Sequence, residues 1–156
     1  MQEMPFQFEH IGLPAKDPRA LKDWYVQIFG AEVVHDNHLT PPAYYLKLPD
    51  GSMIEIYKAS ISNPQVSDNQ LQGWRHVALR VKSLDEARLW FMNRGVIFHE
   101  RIKPAVGGGV LLYFKDPEGN LLHLVERTED SPLLKLDSES DPESPDDLDD
   151  DTTPVP

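Results

Sequence analysis

The stretch "KDPEGNLLHLVER", Lys115 to Arg127, decides the reading of the whole chain. Its "DPEG" reads as a tight turn, and the apolar run that follows reads as a strand. Successive residues on a strand face opposite ways. Leu121, His123 and Val125 therefore share one face, and Leu122, Leu124 and Glu126 share the other. An imidazole and a carboxylate point in opposite directions, and the rest of the chain says which of them points inward.

The turn occurs twice. "LPDGSMIEIYK" aligns with "DPEGNLLHLVER", Gly51 over Gly119. Upstream, "FEHIGLPAKDPRALKDWYVQIFGAEVVHD" aligns with "WRHVALRVKSLDEARLWFMNRGVIFHE", which sets His10 over His76 and Gly30 over Gly95. The offset of about 66 residues is too long for a solenoid repeat and suggests two copies of one supersecondary module. Each copy reads as strand, helix and three strands. In the first, the strand "FQFEHIGLPA" leads to a helix capped by Asp17, opened by Pro18 and closed by Gly30. Short strands follow at "AEVVHD", "AYYLKL" and "SMIEIYK". In the second, "WRHVALRV" leads to a helix with Ser83 and Glu86 at capping-box spacing. The strands "VIFHER", "GVLLYFK" and "NLLHLVE" complete it. The expected fold class is α+β: two paired βαβββ modules forming a curved, partly closed mixed sheet around a central cavity, helices outside. The expected boundaries are 1–58 for the first module, 59–73 for a polar linker, 74–128 for the second module and 129–156 for an acidic tail.

Charge is unevenly spread. Of the net −11, the tail from Glu129 onward carries −10, with eleven acidic residues against Lys135 alone, so the remainder is nearly neutral. A tail rich in Asp, Glu, Ser and Pro buries too little apolar surface to offset its ordering entropy, and disorder is expected there. The leucines of "SPLLKL" are the exception and have the means to dock on the domain. No basic patch favours nucleic acid as a partner. No apolar run is long enough to span a membrane, and no secretion signal is visible at the start. With cysteine absent, disulfides and thiolate chemistry are excluded. A cytoplasmic protein is the expectation.

The repeat also aligns polar residues. Glu55 lies four residues after Gly51, and His123 lies four after Gly119. Strand parity puts His10, Glu55, His76 and His123 on the face away from the helices. Two modules paired by a pseudo-twofold bring the four together. Three imidazoles and one carboxylate at a point make a site for one divalent metal ion, with Zn, Ni, Fe and Mn all compatible. On this reading His123 faces inward, and Glu126 sits outward as a solvated carboxylate at the strand end.

At "HIGLPAKD", "WYVQIFG", "DGSMIEIY", "HVALRV" and "FKDPEGNLLHLVE" the sequence resembles the vicinal oxygen chelate superfamily. That group includes glyoxalase I, methylmalonyl-CoA epimerase, extradiol dioxygenases, and the fosfomycin and bleomycin resistance proteins. The resemblance covers about residues 5–127. It implies metal ligands on the first and fourth strands of each module, at His10, Glu55, His76 and His123. The last position is commonly Glu in the family and is His123 here. The resemblance implies a metal-dependent, glyoxalase-like lyase or isomerase acting on a small oxygenated metabolite, with Glu55 as ligand and catalytic base. An iron-dependent extradiol-type dioxygenase and a non-catalytic drug- or metabolite-binding protein are the alternatives. Arg80, Tyr45, Tyr57, Trp74 and Lys115 are the candidates for holding the small-molecule substrate. His35, His38 and His99 fall outside the repeat-matched set and read as surface or rim residues. "VGGGV", with Gly107 to Gly109, reads as a flexible hairpin over the cavity mouth. A homodimer is the default assembly, with modules paired within one chain or exchanged between two.

Overall fold

A computed structural model of the protein describes residues 5–134. The expected disordered tail from 135 onward lies outside the described residues. The first module comprises β1 (Ile11–Ala15), α1 (Pro18–Phe29), β2 (Glu32–Asp36), β3 (Tyr44–Lys47) and β4 (Met53–Lys58). The second comprises β5 (His76–Val81), α2 (Leu84–Met92), β6 (Lys103–Pro104), β7 (Val110–Lys115) and β8 (Leu121–Glu126). The α+β architecture and the duplicated module are as the repeat predicts. The strands form two four-stranded mixed sheets, one per module, rather than one continuous sheet, ordered β1-β4-β3-β2 and β5-β8-β7-β6. In each half the first strand pairs in parallel with the last. That leaves β1 and β5 at sheet edges.

Local chemistry explains the elements. The Asp17 side chain accepts from the Ala20 amide at 3.0 Å, Pro18 opens α1, and Gly30 closes it at φ 66°. Ser83 caps α2 by accepting from the amide of Glu86. The two turns are copies of one another. Leu48 N donates to Ser52 O and Gly51 N to Leu48 O; Asp116 N donates to Asn120 O and Gly119 N to Asp116 O. The same offset from the same turn therefore sets the register of β4 and β8.

Two hydrophobic cores share one helix. Leu21 and Tyr25 of α1 pack with Tyr44, Leu46, Ile54 and Ile56 of the first sheet. Ile28, from the next turn of α1, is buried instead with Leu84, Phe91, Leu112, Phe114, Leu122 and Leu124 of the second module. Trp24 and Phe29 pack against both cores. Fully burying a side chain such as Ile28 contributes about 1.5–3 kcal/mol, so α1 ties the modules together. Polar contacts reinforce the junction. The Tyr25 hydroxyl donates to Asp116 at 3.2 Å, and the Asp17 amide donates to Glu118 at 2.8 Å.

Three local expectations need correction. "VIFHER" is not a strand: the chain after α2 is irregular until Lys103. Val96 is buried in the second core and the Phe98 ring sits 5.4 Å from that of Phe114, so packing wins over the ladder. Glu126 faces away from His123 as expected, yet it is not merely solvated. It accepts from the amide of Leu84 at 2.7 Å and so caps α2 beside Ser83. The glycine hairpin is packed rather than open. Arg127 donates to Val106 O at 2.6 Å and to Gly108 O at 3.1 Å, and the buried Ser131 donates to Gly107 O at 2.6 Å. Leu133 lies over Gly107, so the first residues of the tail segment do dock.

A Cβ at Gly109 would stand 1.9 Å from the carbonyl oxygen of Glu126, at φ +95°. At Gly51 the φ is equally positive, +90°, but no atom lies within 4 Å. Gly51→Ala is expected to cost about 1–2 kcal/mol of backbone strain. Gly109→Ala is expected to cost clearly more, about 3 kcal/mol or above, because backbone must also move. Urea denaturation of the two variants checks the order, and equal costs would refute the packed hairpin.

Candidate metal centre

Strand register lines up the polar residues on each sheet. In the first module Tyr45 on β3 is opposite Glu55 on β4, and Glu55 is opposite Gly12 on β1. His35 on β2 is opposite Tyr45. His10 immediately precedes β1, with its Nε2 3.5 Å from a Glu55 carboxylate oxygen and its Nδ1 3.2 Å from Glu9. The His10 and Tyr45 rings meet edge to face at 5.2 Å, and the His35 ring is 6.1 Å from Tyr45. The Glu55 carboxylate accepts from the Tyr45 hydroxyl and raises the phenol above its usual range. Tyr45 is thus a donor to Glu55.

The second module repeats the arrangement with different chemistry. Tyr113 on β7 is opposite His123 on β8, which is opposite Ala78 on β5. The His76 and His123 rings are 4.8 Å apart, and Tyr113 sits 4.9 Å from His123 and 5.8 Å from His76. His76 is exposed, whereas His123 is buried with 5 % of its surface accessible. Neither ring nitrogen of His123 has a hydrogen-bond partner among the described residues. Burial pushes its pKa down to about 4, helped by neighbouring His76 and Arg127. At neutral pH the ring is uncharged, with a buried lone pair.

His10 therefore joins Glu55, and His76 joins His123. Among the described residues no three His, Asp or Glu side chains are placed to hold one metal ion together. One chain presents two half-sites, one per sheet. The donor chemistry of each fits a divalent cation: a neutral imidazole with an unused lone pair in one, and a carboxylate beside an imidazole in the other. The remaining candidates are spread out. Tyr57 packs its ring against Gly12, on the Glu55 side of the sheet. Trp74 is 98 % exposed just before β5, and Arg80 is exposed on β5 in register with Val125. Lys115 lines a cavity of about 530 Å³ with Trp24, His99, Glu100, Tyr113 and Phe114.

Two residues escaped the sequence reading. Tyr113 is ten residues before His123, as Tyr45 is ten before Glu55, so the repeat carried the signal. His35 falls outside the repeat-matched set, yet its strand register brings it beside Tyr45.

The family comparison agrees with this fold. The family described as the Glyoxalase/Bleomycin resistance protein/Dioxygenase superfamily matches residues 7–124. The chain belongs to that superfamily. No curated protein matches the sequence. Among solved structures, a glyoxalase family protein from Enterococcus faecalis is similar at 27% identity and TM-score 0.67, over 77% of this chain and 97% of that one. The fosfomycin resistance protein FosX from Listeria monocytogenes, solved with Mn(II) and sulfate, is similar at 24% identity and TM-score 0.61, over 85% and 99%. TnmS3, an antibiotic-binding protein from a Streptomyces species, is similar at 20% identity and TM-score 0.60, over 81% and 100%. The last two share the superfamily fold.

The depressed pKa of His123 has a consequence for the metal-free protein. An unfolded chain binds a proton at this histidine near pH 6.5, whereas the folded chain refuses it until about pH 4. Stability is therefore full above pH 6.5, falls as pH drops from 6.5 to 4, and loses no more from this group below that. Denaturation in the presence of a chelator is expected to show this slope in wild type and a shallower one in His123→Leu. Identical slopes would show that His123 is not held neutral.

Proposed function

We propose that this protein is a metal-dependent, glyoxalase-like lyase or isomerase acting on a small oxygenated metabolite. In this reading it works as a homodimer that joins the His10/Glu55 half-site of one protomer to the partner's copy of the second half-site. The observation that carries it is the pair His76 and His123, with two orphaned nitrogens on a neutral, buried ring. A second copy is supported by the edges: β1 and β5 are edge strands with mostly exposed residues. Exposed apolar side chains cluster beside them, with Phe6 at 70 %, Phe8 at 75 % and Trp74 at 98 %. Edges of this kind, unpaired among the described residues, invite another strand or another chain. FosX, solved with Mn(II), has the same fold, which supports a divalent ion for this chain.

His10, Glu55, His76 and His123 would hold the ion. When bound, it supplies Lewis-acid stabilisation of an enolate or oxyanion on the substrate. Glu55 takes a proton from the carbon alpha to a substrate carbonyl and returns it at the neighbouring position. Tyr45 donates to Glu55 and keeps that carboxylate oriented. With His123 where the family commonly has Glu, no second carboxylate is supplied by the matching strand, so the chemistry is one-base.

Elemental analysis of protein purified without chelator is expected to give about one divalent ion per site, and His123→Ala to lose it. Refolding His10→Ala together with His76→Ala then tests exchange. Paired across a dimer, their heterodimers regain one intact site, about one quarter of all sites in a random mixture. Paired within a chain, none returns. In deuterated water, wild type is expected to wash deuterium into a carbonyl substrate at the alpha carbon, and Glu55→Gln to wash in about 100-fold less. Oxygen uptake with catechols instead would assign the dioxygenase reading, and absence of metal from wild type would sink the metal site.

A further inference from the structure

The segment joining the modules, residues 59–73, folds back onto the second half-site. Ser67 donates to Gly119 O at 2.7 Å, within the turn that launches β8. A Cβ at Gly119 would meet Val66 at 3.0 Å and Ser67 at 3.1 Å, so the segment is seated closely on that turn. Beyond it, Gln70 N donates to the Asp68 carboxylate at 2.9 Å, and Arg75 reaches Asp68 O at 3.4 Å. These contacts place Asn69 beside the imidazole pair. Its side-chain oxygen lies 2.9 Å from Nδ1 of His76, and its side-chain nitrogen donates to the Tyr113 hydroxyl at 3.3 Å.

We propose that Asn69 is a positioning residue that sets the tautomer and aim of His76. This rests on His76 being a ligand, as in the preceding reading. The amide oxygen accepts only, so His76 carries its proton on Nδ1 and keeps the lone pair on Nε2. The amide nitrogen holds Tyr113 against the same ring, so one side chain orients two walls of the half-site. The first module uses an equivalent device: Nδ1 of His10 faces an oxygen of Glu9, and its Nε2 faces Glu55. Both imidazoles at the heads of β1 and β5 thus present the same nitrogen. Acceptors on the far nitrogen of a metal-binding imidazole fix ring orientation and raise its basicity, and their loss typically weakens metal affinity by about 10–100-fold. On this view residues 59–73 are part of the site, not a spacer.

The test compares full-length wild type, Asn69→Ala, Asn69→Asp and, as a control on the same segment, Gln70→Ala. The first readout is made on metal-free protein, by nitrogen-15 NMR of the His76 ring. Wild type, Gln70→Ala and Asn69→Asp are expected to hold the proton on Nδ1, and Asn69→Ala to show a mixture of tautomers. The second readout is Zn(II) affinity by competition with a chromogenic chelator. Asn69→Ala is expected to lose at least about tenfold, and Asn69→Asp to keep or exceed wild-type affinity. Unchanged tautomer and affinity in Asn69→Ala overturns the proposal. So does an Asn69→Asp variant that is impaired as badly as an alanine, which also covers an alanine variant that fails to fold. Wild type that binds no Zn(II) but keeps the Nδ1 proton refutes the metal reading and leaves the positioning role of Asn69 standing.

Discussion

The buried carboxylate of Asp116 accepts from the amides of Glu118 and Asn120 at 2.9 and 3.0 Å, from the Asn120 side chain at 2.8 Å, and from the Tyr25 hydroxyl. Burial raises the pKa of this group, and the four donors act against that rise. Each hydrogen bond to a charged acceptor contributes about 1.5–3 kcal/mol, enough together to hold one turn geometry. That geometry sets the register of β8. A slip of one residue would turn His123 toward the helices and expose Leu122 and Leu124 on the other face. Because one of the four donors comes from α1, the same carboxylate also fixes the second sheet to the first module. The half-site, the helix cap at Glu126 and the module junction all depend on that turn.

The two modules solve the same problem with different residues. In the first, Leu48 occupies the place of Asp116, and Asp50 stabilises the turn instead by accepting from the Ser52 amide and hydroxyl at 3.0 and 2.6 Å. These bonds hold Asp50 below the usual carboxylate range. The surface turn uses a charged, solvated Asp, and the turn at the junction uses a buried one. The duplicated backbone therefore tolerates divergence in side chains while preserving the parity that aims Glu55 and His123.

Periodicity, turn glycines and helix caps made the element order and the polar face legible, because each is a local signal with a fixed geometric meaning. The repeat led to the expectation of His10, Glu55, His76 and His123 at one point, whereas the described residues place them as two pairs. What escaped had non-local causes. The strand expected at 96–101 gave way to packing of Val96 and Phe98 on a core that local pattern does not describe. Glu126 found the α2 amide because a tertiary contact brings β8 under that helix. Asn69 lies in a segment without periodicity, and only its return to β5 and β7 gives it a role. Tyr113 is the exception: it was legible, since a repeat that equates Glu55 with His123 equates Tyr45 with it as well.

The asymmetry of the half-sites has an electrostatic consequence. Glu55 brings a negative charge and is partly solvated, with a tyrosine hydroxyl and an imidazole as neighbours. His123 brings none, is buried, and resists protonation down to about pH 4. An ion shared by the two would be neutralised by one charge rather than two and would keep more of its pull on substrate oxygen. The same asymmetry places the only proton-accepting carboxylate of the set in the first module, beside a donor that keeps it oriented. A substrate bound between the halves would thus meet a polarising side and a basic side. That division of labour suits removal of a proton from carbon adjacent to a polarised carbonyl, and it requires the halves to meet, which the edge positions of β1 and β5 among the described residues permit.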